Sequence, residues 1–483
     1  MGAKYEKPEG YMPRVADAQI ERYLKAFGAV EIAGTKWCGK TWSALMQGAS
    51  VSYVDENLDL ARADPSMMLI GDRPHVIDEW QRVPAIWDCV RHEVDRARGT
   101  RGAFILTGSS TPATRQGEQG PAHSGAGRIG RVRMSPMSLF ESGESTGQVS
   151  LEGLFAGEFT PCVAERDTVG LVEAACRGGW PEAVDMEVDA AQLIAREYVT
   201  AALGVSIPAL GLDPDIARRL ASSLARNLGQ AATYKTIIND MFGAEENPLS
   251  VIDEGRVRAY LDALKGMYIV EEVPGWAPPA RDRKRFATKP KRYLADPSLA
   301  CALLGMSPAA LLADWQTFGL VFENMAVRDL SVYARALDLL DDVPVRYYRD
   351  DSGVEADAIV QLADGRWAAF EFKVSEDKVE KGVASLERMR RKVCENPRSQ
   401  TRPPEFMAVI TGVGEYAREV AEGNCRGADS PPWEVGEAAP RNYLVDCQRE
   451  ASSVLRPCIT LCENCGALNG GYAEDIGKLK RSR

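Results

Sequence analysis

The sequence predicts a multidomain α/β fold, and three observations predict it. At 483 residues the chain is long enough for about two to four domains. Short apolar runs alternate with helical stretches between residues 17 and 107, the order of a largely parallel sheet. A second group of strand-like runs begins near residue 343, beyond a long helical region.

Taken in order, residues 17–27 read as a helix. Ala29–Ala33 reads as a buried strand running into Gly34, and a helix should start at Lys40. Val51–Val54, His75–Asp78 and Phe104–Thr107 read as strands, the last two separated by a helix over Pro84–Ala97. Residues 109–126 are almost without apolar side chains and read as a loop. From about 166 to 266 the chain is helical and Ala-rich. Tyr234–Phe242 and Val257–Met267 read as helices and Tyr268–Val273 as a strand. A basic stretch follows, and then a helix-rich segment from Leu299 to about Leu339. Strands are expected at Val343–Tyr348, Ala356–Leu362, Trp367–Val374 and Phe406–Ile410, with a charged helix near 378–394.

Composition narrows the classes. A hydrophobic share of 45% is ordinary for globular protein, and the net charge of −11 confines any nucleic-acid contact to a local basic patch. No run of apolar residues is long enough to span a membrane. The start, MGAKYEKPEG, shows no signal-peptide core and an incomplete myristoylation pattern, so a cytoplasmic protein is expected. Eleven scattered cysteines then favour free thiols over disulfides. The three histidines all lie before residue 124, so chemistry further along cannot use a histidine of this chain.

Gly34-Thr35-Lys36-Trp37-Cys38-Gly39-Lys40-Thr41 fits the P-loop pattern G-x-x-x-x-G-K-[ST] between a predicted strand and a predicted helix. Glycines let the backbone curl so that N–H groups point at phosphates. Lys40 is then expected to reach the β and γ phosphates, and Thr41 to offer its hydroxyl to Mg²⁺, with ATP as the nucleotide. The strand His75–Asp78 supplies the acidic half of such a site. Asp78 would hold Mg²⁺, and Glu79 would orient or deprotonate the attacking water. A solvated acidic pair is the plainer alternative. Thr107, at the end of its strand, is placed to contact the γ-phosphate or the water, unless it is simple strand-end chemistry. Arg128, Arg131 and Arg133 follow the loop. One of them, with Arg131 the choice, can stabilise phosphoryl charge in this chain or in a neighbouring subunit, or all three can form a solvated basic strand.

These pieces resemble a known group: prokaryotic AAA-like ATPases that carry a C-terminal domain with a restriction-endonuclease-like core. The resemblance rests on Tyr11-Met-Pro-Arg14, the P-loop, Val76-Ile-Asp-Glu-Trp-Gln-Arg-Val-Pro84, Leu106-Thr-Gly-Ser-Ser110, Gly130-Arg131-Val132 and Arg177-Gly-Gly-Trp-Pro181. It is completed by an acid motif near residues 355–373 and runs from about residue 11 to about 415. It implies an ATPase domain over 11–165, a helical connector with a winged helix over 166–298, an endonuclease-like domain over 299–415, and leaves 416–483 as an irregular Cys-containing tail. Trp37 and Cys38 stand where the group usually has smaller or polar residues.

Helix, helix, strand and basic hairpin is a winged-helix order. The stretch 281–292 brings Arg281, Arg283, Lys284, Arg285, Lys289, Lys291 and Arg292. Such a wing can lie along a DNA backbone without reading bases, or pack on an acidic protein face. A protein partner or a homo-oligomer is open in the same way.

Glu355-Ala-Asp357 and Glu371-Phe-Lys373 lie on adjacent predicted strands. Asp357 and Glu371 are expected to converge on one metal, with Lys373 on the same strand face and Glu323 added from the preceding helix. The pattern resembles the PD-(D/E)xK nuclease arrangement, in which Mg²⁺ polarises a phosphodiester and lysine helps to activate water. As a short pattern it is weak, and alternating acids and lysines are usually a solvated face. In the tail, Cys458, Cys462 and Cys465 with Cys447 can make a zinc site, but free thiols are the plainer reading. Two functions stay open: an ATP-dependent nucleic-acid enzyme, or a regulatory ATPase whose C-terminal domain only binds a partner.

Overall fold

Along the first strand, Val30 and Ile32 face one side of a sheet and Ala29 and Glu31 the other, because side chains alternate along a strand. The computed structural model describes residues 5, 7–110, 125–163, 168–243, 251–278, 288–395, 401–413, 416–419 and 441–446. Its N-terminal part has α1 (Ala16–Ala26), β1 (Ala29–Gly34), α2 (Lys40–Gln47), β2 (Ser50–Tyr53), β3 (His75–Asp78), α3 (Ala85–Arg96), β4 (Phe104–Gly108) and β5 (Ile129–Met134). The strands lie in the order β2-β3-β4-β1-β5, and every pairing is parallel. A parallel sheet must be covered on both faces. Val30, Ile32, Val76, Ile105 and Val132 pack with Ile20 of α1 and Ala44 of α2. On the other face Ile77, Phe104 and Leu106 pack with Trp80 and with Ile86, Trp87 and Val90 of α3. Each large side chain buried in this way stabilises the fold by roughly 1.5–3 kcal/mol. This is the predicted parallel α/β domain of the P-loop NTPase type. Arg131 and Arg133 lie on its fifth strand.

After β6 (Cys162–Val163) the chain is helical, with α4 (Thr168–Arg177), α5 (Val188–Ala201), α6 (Pro214–Arg226), α7 (Tyr234–Phe242) and α8 (Glu254–Gly266). Asp213, Thr233 and Asp253 cap the last three by accepting backbone amides. An antiparallel hairpin of β7 (Val270–Val273) and β8 (Lys291–Leu294) closes the region. Of the expected basic stretch, Arg281, Arg283, Lys284 and Arg285 lie outside the described residues, and Lys289 is exposed. Lys291 and Arg292 do not face solvent as a basic wing would. Both are buried in β8, where Glu272 meets Arg292 and carboxylates of the C-terminal region meet Lys291.

The C-terminal region begins with α9 (Pro297–Leu304) and α10 (Trp315–Arg335). It continues through β9 (Arg346–Arg349), β10 (Glu355–Gln361), β11 (Trp367–Ser375), α11 (Val379–Cys394), β12 (Phe406–Val413), β13 (Tyr416–Glu419) and β14 (Arg441–Asp446). Its seven-stranded mixed sheet has the order β6-β13-β14-β12-β11-β10-β9. Two of these strands fall within the stretch expected to be an irregular tail, and β14 pairs in parallel with β12 from Phe406↔Arg441 to Thr411↔Asp446. Cys447, Cys458, Cys462 and Cys465 lie outside the described residues. None of the described cysteines is in a disulfide.

One core joins the connector to the C-terminal sheet. It holds Trp180, Leu220, Ile237 and Leu261 together with Phe318, Phe322, Phe370 and Phe406. Among the described residues no helix is long and apolar enough to cross a membrane.

Candidate functional site

Gly34 ends β1 where a side chain has no room: a Cβ there would lie 1.9 Å from the Met134 carbonyl oxygen of β5. The loop then turns through two left-handed residues, Trp37 at φ 62° and Gly39 at φ 97°. A clamp fixes it from the side. Arg14 is buried and donates to the Cys38 carbonyl at 2.6 Å and to the Ser135 carbonyl at 2.8 Å, while its Nε pairs with Glu141 at 3.0 Å. Lys40 Nζ donates to the Thr35 carbonyl at 2.6 Å, across the loop.

The acidic strand end meets this loop directly. Thr41 Oγ1 donates to Asp78 Oδ1 at 2.8 Å, and Thr107 Oγ1 donates to the same oxygen at 2.5 Å. Thr107 Oγ1 also lies 3.3 Å from the Glu79 amide, which donates to it. Glu79 is a non-glycine residue in the left-handed region, at φ 57°. Its carboxylate accepts from Ser109 Oγ at 3.2 Å and from the Gln81 amide. β1, β3 and β4 thus bring Thr41, Asp78, Glu79 and Thr107 into one hydrogen-bonded group. Thr41 and Asp78 offer two hard oxygens beside a lysine, a donor set that suits Mg²⁺ on a nucleotide.

The arginines after the loop have other partners. Arg131 Nε pairs at 2.6 Å with Glu31, a β1 carboxylate only 2% exposed that also accepts from the Trp80 indole. Arg128 pairs with Asp95 at 2.9 Å. Arg133 pairs with Glu271 of β7 and stacks 3.9 Å from the Tyr268 ring. Glu31 was not legible as a partner, because a single acid in an apolar run carries no pairing signal.

Connector residues hold the loop's outer side. Burial pushes the pKa of the Tyr198 hydroxyl up, and the nearby Lys36 amide pulls it partly back. Tyr198 packs edge-on to Trp37 and stacks on Trp180 with centroids 4.9 Å apart. Trp180 donates to Ser298 at 2.9 Å, and Ser298 donates to Asp296 at 2.6 Å. Asp296 also accepts from the Gly179 amide at 2.9 Å and pairs with Arg328 of α10 at 2.7 Å. The Arg177-Gly-Gly-Trp-Pro181 segment is thereby tied to α9 and α10.

The second group of predicted residues lines a cavity of about 520 Å³ between the connector and the C-terminal sheet, bordered by Glu323, Glu355, Asp357, Glu371 and Lys291. The β10–β11 ladder stops at Ala358↔Phe370, and beyond it Asp357 Oδ2 accepts the Phe372 amide at 2.9 Å. Lys373 Nζ donates to Glu371 Oε1 at 2.8 Å, and Glu371 Oε2 is buried without a partner. Burial, and then the charge of Asp357, push the Glu371 carboxyl up to about 7. The structure therefore brings Glu323, Asp357, Glu371 and Lys373 to one place. Where the reading expects a metal, a cation of the chain itself stands among the acids: Lys291 Nζ lies 2.8 Å from Glu355 and 3.4 Å from both Glu323 and Asp357. The sequence places Lys291 in a basic wing that lies along DNA or packs on an acidic face, but it is buried. The apolar neighbours Tyr293 and Leu294 were the signal that its strand is buried.

Residues 27–142 match the AAA domain family. Residues 169–310 match a domain of unknown function (DUF8612), and residues 318–415 another (DUF4143). No curated relative matches the chain. Among solved structures, the Walker-type ATPase PABY2304 of Pyrococcus abyssi is 13% identical over 63% of this chain and 98% of its own, with a TM-score of 0.38. AMPPCP-bound DnaA from Aquifex aeolicus is 16% identical over 55% of this chain and 92% of its own, with a TM-score of 0.24. The Aeropyrum pernix ORC1 protein in complex with DNA is 15% identical over 63% of this chain and 96% of its own, with a TM-score of 0.23. The matched AAA domain family and the parallel strand order around the P-loop make the N-terminal part an AAA-like P-loop ATPase domain.

Proposed function

We propose that the protein is an ATP-hydrolysing switch whose nucleotide state is passed to the connector and the C-terminal domain. The reading divides the chain into an ATPase part over 11–165, a connector with a winged helix over 166–298, and an endonuclease-like part over 299–415. The observation that carries it is the hydrogen-bonded group Thr41–Asp78–Thr107–Glu79 at the mouth of the P-loop. In this reading the amides of Gly34 to Thr41 cradle the phosphates, and Lys40 leaves the Thr35 carbonyl for the β and γ oxygens. Thr41 and Asp78 would hold Mg²⁺, which would supply positive charge at those oxygens. Glu79 takes the proton of the attacking water, and Thr107 keeps the Glu79 backbone and Asp78 in register. Arg131 serves mainly to neutralise Glu31, and it reaches phosphoryl charge only if a neighbouring subunit offers that charge. Steady-state ATP hydrolysis by the full chain tests the reading, with Lys40→Ala and Glu79→Gln as controls. Hydrolysis that is absent, or unchanged in both variants, would sink it.

Two readings divide over the C-terminal domain. In one it is nuclease-like and acts on nucleic acid, with Lys373 activating water and Lys289 of the hairpin segment near the backbone. In the other it is a non-catalytic module that binds a partner. The position of Lys291 among the acids favours the second, since an ammonium there neutralises the carboxylates that a nuclease would need for metal. Cleavage of single- and double-stranded DNA and RNA with Mg²⁺ or Mn²⁺, compared with Asp357→Ala, separates the two.

A further inference from the structure

We propose that Lys291 is the resident cation of the C-terminal carboxylate pocket, holding the place of a divalent metal and clamping the connector hairpin onto the C-terminal sheet. The proposal goes beyond the second reading of that domain and is independent of nucleotide chemistry at the P-loop.

Four observations carry it. Lys291 comes from β8 of the connector, yet its side chain is 5% exposed and ends among acids of α10 and β10. An ammonium has three donors, and three carboxylates surround it, at 2.8 Å for Glu355 and 3.4 Å for Glu323 and Asp357. These are ammonium distances; metal–oxygen bonds of about 2.0–2.1 Å for Mg²⁺ would draw the oxygens much closer together.

The pocket also leaves one buried carboxyl oxygen without a partner. Glu371 is 8% exposed, and its Oε2 has no hydrogen-bond partner. Lys373 satisfies the other oxygen only. A buried oxygen left unpaired is a cost that persists only when the surroundings hold it there.

The connector closes on the pocket at a second point. Gly229, at φ 69°, presents bare backbone to the acids; a Cβ there would lie 2.7 Å from Glu323 Oε1. Its amide donates to the Arg292 carbonyl, next to Lys291. Tyr293, also on β8, donates to Glu323 at 2.7 Å. The hairpin thus delivers an ammonium and a phenol to the same carboxylate group, and Glu271 of β7 pairs with Arg133 of the ATPase sheet. The pocket acids hold the connector hairpin to α10 and β10, where a nuclease would use them for a metal.

The test is Mn²⁺ binding to the full chain without nucleotide, read from the loss of the free-ion paramagnetic resonance signal. Wild type and Asp357→Asn are expected to bind the same number of ions. Lys291→Met, which keeps length and removes charge, is expected to bind one more. Adding Asp357→Asn to Lys291→Met should abolish it. If Lys291→Met does not fold, Lys291→Met with Glu323→Gln removes one stranded carboxylate and must show the same extra ion. An Asp357-dependent Mn²⁺ site in wild type would overturn the proposal, because metal and lysine would then share the pocket. So would a folded lysine variant that gains no ion. ATP hydrolysis measured on the same samples reports the P-loop separately.

Discussion

Thr41 Oγ1 donates to Asp78 Oδ1 across 2.8 Å, which joins the last residue of the P-loop to the end of β3. The contact exists because β1 and β3 lie on either side of β4 in a parallel sheet, so their C-terminal ends open at the same edge. Ligands of open parallel sheets bind at that edge. The arrangement ranks the residues by what they can touch.

Lys40 is the one side chain of the loop that carries positive charge inward, and it is buried against the Thr35 carbonyl. Lys40→Ala removes a charge-assisted contact worth roughly 1.5–3 kcal/mol. Affinity for a non-hydrolysable ATP analogue should fall about 10- to 100-fold in calorimetry. Unchanged affinity would remove the phosphate assignment.

Glu79→Gln keeps the size of the side chain and an acceptor for Ser109, but it cannot take a proton. Binding of the analogue should stay within a few-fold of wild type, while hydrolysis slows by about 10²–10⁴. Turnover near wild type would mean that another group positions the water.

Much of this site was legible because its signal is local. The P-loop, β3 and β4 are short apolar runs with defined ends, and Asp78, Glu79 and Thr107 sit at those ends. What was not legible depends on distant partners. The charge of Lys291 reads as solvent-facing until Glu323, Glu355 and Asp357 are brought to it by two other elements, α10 and β10. Arg131 reads as free until β5 pairs with β1 and puts it beside Glu31. β14 lies in a stretch without clear periodicity and gains its place from β12, so strand pairing overrode weak local pattern. The core runs across residue 298, where the sequence suggests a domain boundary, because packing between elements leaves no local signal.

The pocket acids set a pH dependence. Glu371 is raised to about 7 by burial and then by Asp357, against an ordinary value of 4.5. Between those values the folded chain keeps a proton that the unfolded chain releases. Its contribution is therefore full on the acid side and lost as pH rises through about 7. Each unit of upward shift is worth about 1.4 kcal/mol at most. Glu371→Gln should flatten the fall in unfolding midpoint between pH 5 and pH 8 and raise the midpoint at pH 8. An equal fall in variant and wild type would show that other groups set the dependence.

The link between the ATPase part and the C-terminal part is best tested at Arg328. Its buried guanidinium pairs with Asp296 at 2.7 Å and with Asp329 at 2.7 Å. Asp296 holds the Gly179 amide and Asp329 the Leu139 amide, so both segments behind the P-loop rest on this one cation. Arg328→Met fills the space but strands two carboxylates, which should cost roughly 3–5 kcal/mol at neutral pH. The cost should depend on pH in a defined direction. Burial holds the Asp329 carboxyl up at about 6 even though Arg328 pulls it down. Without the guanidinium, that carboxyl should rise further and accept a proton under mildly acid conditions. The deficit of the variant should therefore be larger at pH 7.5 than at pH 5.5. Adding Asp329→Asn should recover part of the loss at pH 7.5 and little at pH 5.5, because it removes a charge that acid already neutralises. Denaturant unfolding at the two pH values measures all four terms. A deficit that is the same at both would mean that Arg328 acts through packing, and that the carboxylates find other partners when it is gone.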